Sequence, residues 1–445
     1  MSAELIQPYP YQLDGAAWLA TTQQSMLLDV PGLGKSAQAI RGADLLGLQN
    51  VLVIAPASTR VNWGREWARF SPLDRPVQVC MPSDLPNTSG VVIVSYESAV
   101  KHKERLRTSN FDLSIIDEAH LCKERRALRT RAIYGAGKRS PGITSTCKRV
   151  WRLTGTPLPN SAANELWTHL HSAGIVDEDY WTFTYRYCEG YDAPHGFTFT
   201  KNKNVEELRR RIAPFILRRT REEVLPDLPE ITYTTHTVER SAACLDSVAL
   251  ASMNADDQRL REALDAAGAD KEKQLRILET MAASMQSLRR HILTAKLPAM
   301  AEILTEDFEE HGISKMVVFG IHRHGLEYMF EKMTKYKPVI LYGGTPASQR
   351  QENIDRFQNE ASCRLFLANI DSGGTGVDGL QKVCSFLNFL EKSWTPSSNL
   401  QSILRLLRIG QSSKVTVRSF VLEKSTDEYV DSVLVRKLKE LSKIF

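Results

Sequence analysis

Two short segments carry residue types that could do chemistry together. The first, LLDVPGLGKSAQAI (27–40), passes from an apolar run through a glycine-containing turn into a helix-compatible stretch. Gly32 and Gly34 let the backbone of Asp29, Gly32, Leu33 and Gly34 come close to a phosphate with its N–H groups turned inward. Lys35 can reach the β- and γ-phosphates, the Ser36 hydroxyl can ligate Mg²⁺, and the following helix offers its N-terminal dipole to the anion. The strict pattern G-x-x-x-x-G-K-[ST] wants glycine at position 29, where this chain has Asp29. The second segment, LSIIDEAH (113–120), puts Asp117 and Glu118 at the end of an apolar run. Asp117 is suited to hold the metal, directly or through water, and Glu118 to orient and polarise an attacking water. Together the two segments predict a P-loop ATPase that uses ATP with Mg²⁺.

Hydrolysis also needs cations near the γ-phosphate. Arg405 and Arg408 in QSILRLLRIGQ (401–411) are three apart, and so share a face if that segment is helical. They are expected as arginine fingers, acting if a second lobe closes on the first.

Such residues need strands to hold them. VLVIAP (51–56), VVIVSY (91–96), LSIID (113–117) and VWRLTG (150–155) are short, apolar and rich in Val and Ile, each ending in a polar, Gly- or Pro-containing turn. Runs of this kind are typical of strands buried on both faces of a parallel sheet. The same pattern returns in KMVVFG (315–320), VILYGG (339–344), RLFLAN (364–369), SFLNFL (385–390) and VTVRSF (415–420). Between the blocks, residues 230–297 contain no proline and one glycine, Gly268, while Leu275, Leu278, Met281, Met285, Leu288 and Ile292 recur at helical spacing. The sequence therefore predicts an α/β lobe, a helical middle and a second α/β lobe.

Composition bounds the remaining classes. The 445 residues are 42% hydrophobic, enough to bury sizeable cores without disulfides or metals. No run reaches the roughly 18–20 apolar residues of a membrane helix. MSAELIQPYPYQLDG lacks the basic start and apolar stretch of a secretory signal, and the seven cysteines are dispersed with no CxxC pair, as in reduced, cytosol-like settings. A cytoplasmic protein without a membrane partner is expected.

The formal charge is only +5, but it is unevenly distributed. Between Leu121 and Arg152, ten lysines and arginines face the single acid Glu124, a local surplus of nine. Lys123, Arg125, Arg126, Lys138 and Arg139 are candidate contacts to a DNA phosphate backbone, with sequence-independent, salt-sensitive binding. A solvated basic face without a partner is the alternative. Arg209–Arg211 with Arg218, Arg219 and Arg221 form a second basic cluster.

From about residue 9 to residue 440 the chain resembles the Swi/Snf-type ATPase family of DExH-box (superfamily two) helicase-like proteins. The matching pieces run in the family's order: PYQLDGAAWL with Gln12, DVPGLGKS, APASTRVNWGREW (55–67), VSYES (94–98), DEAH, LTGTPLPN (153–160), ELWTHL (165–170), FILRRTREEVLPDLP (215–229), LYGGTPASQRQENIDRFQ (341–358), SGGTGVDGL (372–380) and SWTPSSNLQSILRLLRIGQ (393–411). FTYRYCEGYD (183–192) and FLEKSWTPSSNLQ point to the annealing-helicase branch. The resemblance implies two tandem RecA-like lobes with helical protrusions: 1–230 with a helical protrusion at about 161–215, a helical middle 231–297, a second lobe 298–432 and a helical tail 433–445. It implies that Gln12 reads adenine and that the segment around Thr154 and Thr156 links the nucleotide site to a nucleic-acid track.

The chain departs from the family's pattern at Val30-Pro31, at Ser36, at Leu404 and Leu407, where an acid and often a histidine are expected, and at Asp371 and Asp378, which bring negative charge into a segment expected to face nucleic acid or phosphate. The implied activity is a DNA-dependent ATPase that translocates on double-stranded or branched DNA, with remodelling or annealing as the outcome. A strand-separating helicase, and an ATP-gated DNA-binding module that recruits a nuclease or replication partner, are the alternatives.

Overall fold

A computed structural model of the chain describes residues 5–137, 139–193, 196–225, 229–239, 247–268, 277, 282–370, 377–408 and 410–423, with 425, 427, 434 and 444. Lys138, Leu275, Leu278, Met281, Asp371, the glycine-rich stretch 372–376 and nearly all of the expected tail 433–445 lie outside the described residues. The chain forms two compact units that divide between Pro226 and Asp227.

In the first unit the expected β-rich runs are strands. They are β1 (Gln24–Leu27), β2 (Val51–Ala55), β3 (Val77–Val79), β4 (Val91–Ser95), β5 (Leu113–Asp117) and β6 (Arg149–Leu153), and a later β9 (Ile216–Leu217) joins them. The sheet order is β3-β4-β2-β5-β6-β1-β9, with every pairing parallel. β2 and β4 are buried at every position, which is why they read as unbroken apolar runs rather than alternating ones. Ile40, Trp63, Trp67 and Trp151 pack in a core with Val51 and Val53, while Tyr96, Phe111 and Ile133 pack in another with Leu52 and Ile54. Adjacent residues of β2 point to opposite faces, so the sheet is covered on both sides.

The register levels three strand ends. Leu27 of β1 and Asp117 of β5 both pair with Leu153 of β6. The loops that follow, 28–34, 118–120 and 154–157, therefore leave the same carboxyl edge, where open parallel sheets hold their ligands.

The segment expected as a helical protrusion is mixed. It contains helices Trp167–Ser172, Tyr180–Tyr187 and Val205–Ile212, but also an antiparallel hairpin of β7 (Cys188–Ala193) and β8 (Gly196–Asn202). The alternation of Phe and Thr at 197–200 favours strand over helix there.

In the second unit the order is β10-β15-β14-β11-β13-β12, again with parallel pairings: β10 (Ile231–Val238), β11 (Met316–Gly320), β12 (Val339–Leu341), β13 (Leu365–Asn369), β14 (Phe386–Phe389) and β15 (Val415–Leu422). β10 corrects the expected helical middle 231–297. ITYTTHTV is dominated by β-branched residues and pairs with β15 over all eight positions. Helix does occupy Ser247–Ala266 and Ala282–Glu309, and Leu288 and Ile292 are buried as their spacing predicted. Among the described residues no helix is long and apolar enough to cross a membrane.

Candidate nucleotide site

The phosphate loop enters helix α2 (Lys35–Leu45) through Gly34 at φ +69°, the left-handed region. A side chain at Gly34 would also run into the Gln12 amide. Glycine is thus required there twice over. Lys35 opens α2, and its Nζ donates to the carbonyls of Asp29 (2.7 Å) and Val30 (3.5 Å), so the ammonium lies folded over the loop. Gln12, on helix α1 (Pro10–Thr21), is buried against the same loop. Its Nε2 donates to the Leu33 carbonyl at 3.2 Å, and its Oε1 accepts the Tyr9 N–H.

The side chain of Asp29 points away from the expected phosphate site, toward Arg219 and Gln38. Its side chain is wholly buried and accepts from the Arg219 guanidinium (2.6 Å), the Arg219 backbone N–H (3.0 Å) and Gln38 Nε2 (2.9 Å). Arg219 also donates to the Tyr11 carbonyl and to Gln38 Oε1. Position 29 thus supplies a backbone carbonyl toward Lys35, while its carboxylate anchors the loop from behind. The second basic cluster changes meaning accordingly. Arg219 is spent on Asp29, the buried Arg221 donates to the Pro31 carbonyl, and Arg211 pairs with Glu178. Each of these three side chains thus has a partner within the unit.

Asp117 closes β5 opposite this loop. Trp63, on helix α3 (Arg60–Phe70), donates its indole N–H to Asp117 Oδ2 at 2.8 Å, Oδ1 accepts the Glu118 N–H, and the Tyr96 hydroxyl donates to the Asp117 carbonyl. Burial and the neighbouring Glu118 raise the Asp117 carboxyl to about 7, against the opposing pull of Trp63 and Lys35. Lys35 is therefore near enough to favour the Asp117 anion, which ties the two motifs electrostatically. Glu118 sits at φ 50°, ψ 49°. Its Oε2 lies 3.2 Å from His120 Nδ1, which is also 2.9 Å from the Thr154 hydroxyl; that hydroxyl accepts the Thr156 N–H. Gly155 between them lies so close to Pro31 that a Cβ would come within 2.5 Å of its ring. The loop 154–157 thus touches both of the other loops at this sheet edge.

The donor set suits a magnesium ion held together with a nucleotide. Ser36 offers one hydroxyl and Asp117 one carboxylate, leaving places for phosphate oxygens and water. Among the described residues, no group of three or more His, Cys, Asp and Glu could form an all-protein metal cage.

Comparison with known proteins gives this edge its context. The SNF2-related domain matches residues 11–287, and the helicase conserved C-terminal domain matches residues 295–410. The chain belongs to the SNF2-related family. SNF2-related relatives include the Drosophila melanogaster SWI/SNF-related matrix-associated actin-dependent regulator of chromatin subfamily A-like protein 1, 30% identical over 98% of this chain and 56% of that protein. Another is the Bos taurus DNA annealing helicase and endonuclease ZRANB3, 25% identical over 96% of this chain and 40% of that protein. The chain spans about half the length of the curated relatives it matches. A solved Sulfolobus solfataricus SWI2/SNF2 ATPase core in complex with dsDNA is 22% identical, covering 99% of this chain and 95% of that one, with a TM-score of 0.45.

In the second unit of this SNF2-related chain, Arg405 and Arg408 do not ride on a helix. The helix Pro396–Ile403 ends before them, and both lie in the turns that follow. Leu404 and Leu407, where an acid and a histidine were expected, are buried in the apolar core with Ile403 and Leu406. Arg405 donates to the Val377 carbonyl at 3.1 Å, and Arg408 pairs with Asp378 at 3.1 Å. This gives Asp378 a physical account. Burial would raise its carboxyl, but Arg408, the Gly379 N–H and Arg405 together hold it below the usual range.

The basic segment after DEAH is divided in use. Lys123 pairs with the buried Glu165, Lys148 with Asp112, and Arg149 donates to the Ala20 and Thr22 carbonyls. Arg152 is fully buried, its guanidinium bonded to Gln24 and Ser172. Arg125 stacks on the Tyr180 ring. Arg126, Arg129, Arg131 and Arg139 are exposed. Of the candidate DNA contacts, Arg126 and Arg139 thus remain at the surface, and Lys123 is a structural pair. Sequence reasoning gave no individual role to Trp63 or Tyr96, and it counted Arg219 only as a member of a basic cluster. The NW of APASTRVNW and the RRT of FILRRT were the signals that mark two of them.

Proposed function

We propose that this chain is a DNA-dependent ATPase that moves along duplex or branched DNA without reading its sequence. The observation that carries the reading is the level register of β1, β5 and β6, which brings Lys35 and Ser36, Asp117 and Glu118, and Thr154 and Thr156 to one sheet edge. Gln12 and the loop amides would seat the nucleotide, and Lys35 would leave its resting carbonyls for the phosphates. Bound Mg²⁺ would neutralise phosphate charge beside Ser36 and Asp117. Glu118 would orient the attacking water, and the bridge through His120 to Thr154 gives it a route to sense the rest of the unit. Arg405 and Arg408 would add positive charge during turnover. DNA as the partner is supported by family membership, by the annealing-helicase name among the similar proteins, and by the exposed Arg126, Arg129, Arg131 and Arg139.

The test is ATP turnover across single-stranded, duplex, forked and four-way DNA. Stimulation by duplex-containing forms is expected. Tight, nucleotide-switched DNA binding with negligible turnover would instead favour an ATP-gated recruitment module.

A further inference from the structure

The loop after β5 and the loop after β6 are fastened to each other twice. The first fastening is at the nucleotide edge, where His120 Nδ1 lies 2.9 Å from the Thr154 hydroxyl and 3.4 Å from that of Thr156. The second is farther along both loops and is built on the buried Glu165. Its Oε1 pairs with Lys123 Nζ and accepts the Asn160 side-chain amide at 2.9 Å, while its Oε2 accepts the Asn160 backbone N–H at 2.9 Å. The Thr168 hydroxyl donates to the Lys123 carbonyl at 2.8 Å, so Lys123 is held by main chain and side chain together. The turn that carries Glu165 is fixed from behind. Ser161 sits at φ +67°, its carbonyl accepts Asn202 Nδ2, and Asn202 Oδ1 accepts the Ala163 N–H, both at 2.9 Å.

The place of this clamp in the chain gives it meaning. Lys123 lies five residues after Glu118 and three before Arg126. Between the short turn Ala119–Cys122 and the helix Leu128–Tyr134 the chain has no regular secondary structure. A bare connection of that kind absorbs a displacement at one end before it reaches the other. One tied through a buried, charge-assisted hydrogen-bond network does not. Arg125, its guanidinium 4.7 Å from the Tyr180 ring centroid, stiffens the far end. The exposed Arg126, Arg129 and Arg131 follow, so whatever holds their guanidinium groups pulls on a chain anchored close to Glu118 and His120.

We propose that Glu165 is a positioning residue that conveys DNA occupancy to Glu118. With Lys123 it joins loop 118–123 to loop 154–160, so that a DNA backbone gathered by Arg126, Arg129 and Arg131 sets both loops at once. The proposal rests on the DNA-motor reading and names, outside the segment around Thr154 and Thr156, a residue for its coupling. Glu165 acts through Lys123, which serves by being paired rather than by meeting DNA.

The test is steady-state ATP hydrolysis by the full chain, titrated with duplex DNA, for the wild type, Glu165→Gln, Thr168→Val and Lys123→Arg. Glu165→Gln removes the charge with little change of shape and leaves Lys123 free to turn to water. It is expected to keep the DNA-free rate, the KM for ATP and the duplex concentration that gives half-maximal stimulation, while its DNA-stimulated kcat falls about tenfold. Lys123→Arg, which keeps the cation, should retain most of the stimulation. Thr168→Val, which loses one hydroxyl, should lose part of it. Full stimulation in Glu165→Gln would overturn the proposal. So would a fall of the DNA-free rate or of DNA affinity in the same proportion, which would leave Glu165 with a fold-holding role alone. Should Glu165→Gln fail to fold, Thr168→Val decides, and full stimulation there overturns the clamp. A wild type indifferent to duplex fails the motor reading itself, whereas a stimulated wild type beside an equally stimulated Glu165→Gln fails only the clamp.

Discussion

The Trp63 indole N–H donates to Asp117 Oδ2 at 2.8 Å, so a residue 54 positions upstream in another motif holds the proposed metal-bearing carboxylate in place. A hydrogen bond to a charged group contributes about 1.5–3 kcal/mol. Trp63→Phe keeps the ring and removes the donor. The variant is expected to need several-fold more Mg²⁺ for half-maximal ATP turnover and to lose about 1.5–3 kcal/mol of stability with the bond. Magnesium titrations of the steady-state rate check this.

Asp117 also affects stability. Its folded-state carboxyl is raised to about 7, chiefly by burial and then by Glu118, whereas in the unfolded chain it ionises near 4. A raised carboxyl contributes stability below the unfolded value, and that contribution is lost as pH rises through about 7. Asp117→Asn removes the buried charge. Without metal or nucleotide the variant should be more stable than the wild type at pH 8, by on the order of 1–3 kcal/mol, with a smaller gain at pH 5. It should hydrolyse no ATP. Thermal melts at the two pH values give the comparison.

Arg219 and Asp29 form a buried ion pair that ties the segment after β9 to the back of the phosphate loop. Removing one member of such a pair costs about 3–5 kcal/mol, because the other charge is left buried. Arg219→Ala should therefore lower the denaturation midpoint sharply and weaken ATP binding together. Arg219→Lys should rescue little, since one ammonium cannot reproduce a fork that reaches Asp29, Tyr11 and Gln38. Equilibrium unfolding and nucleotide titration of the two variants test both parts.

The exposed Arg126 and Arg139 and the paired Lys123 should behave differently. If each arginine neutralises one phosphate, the Arg126→Ala, Arg139→Ala variant should flatten the slope of log affinity against log salt by about 1.8 on duplex. Lys123→Ala should leave that slope near the wild-type value and instead lower thermal stability through the stranded Glu165. Binding isotherms at several salt concentrations separate the two outcomes.

Much of the site was legible because its residues are constrained by backbone geometry and spacing. Gly34 must adopt a left-handed conformation ahead of Lys35, and Asp117 must close a strand buried on both faces. What the sequence concealed were pairings at long range. The acid at position 29 breaks the strict glycine spacing and finds its explanation only in Arg219, 190 residues away. Asp378 looks misplaced until Arg408 is beside it. A run of arginines reads as one surface, although burial separates Arg152 and Arg219 from Arg126. β10 was missed for a related reason. Its β-branched residues were visible, but the strand exists through pairing with β15, almost 180 residues later. Local pattern marked elements and loop chemistry, while partner choice was set by the packed chain.

The motor reading is tested most directly by steady-state ATP hydrolysis with and without duplex DNA, with Glu118→Gln measured beside the wild type. The wild type should be stimulated several-fold by duplex, and Glu118→Gln should still bind ATP yet show no DNA-dependent turnover. Equal wild-type rates with and without DNA, or full turnover by Glu118→Gln, would contradict it.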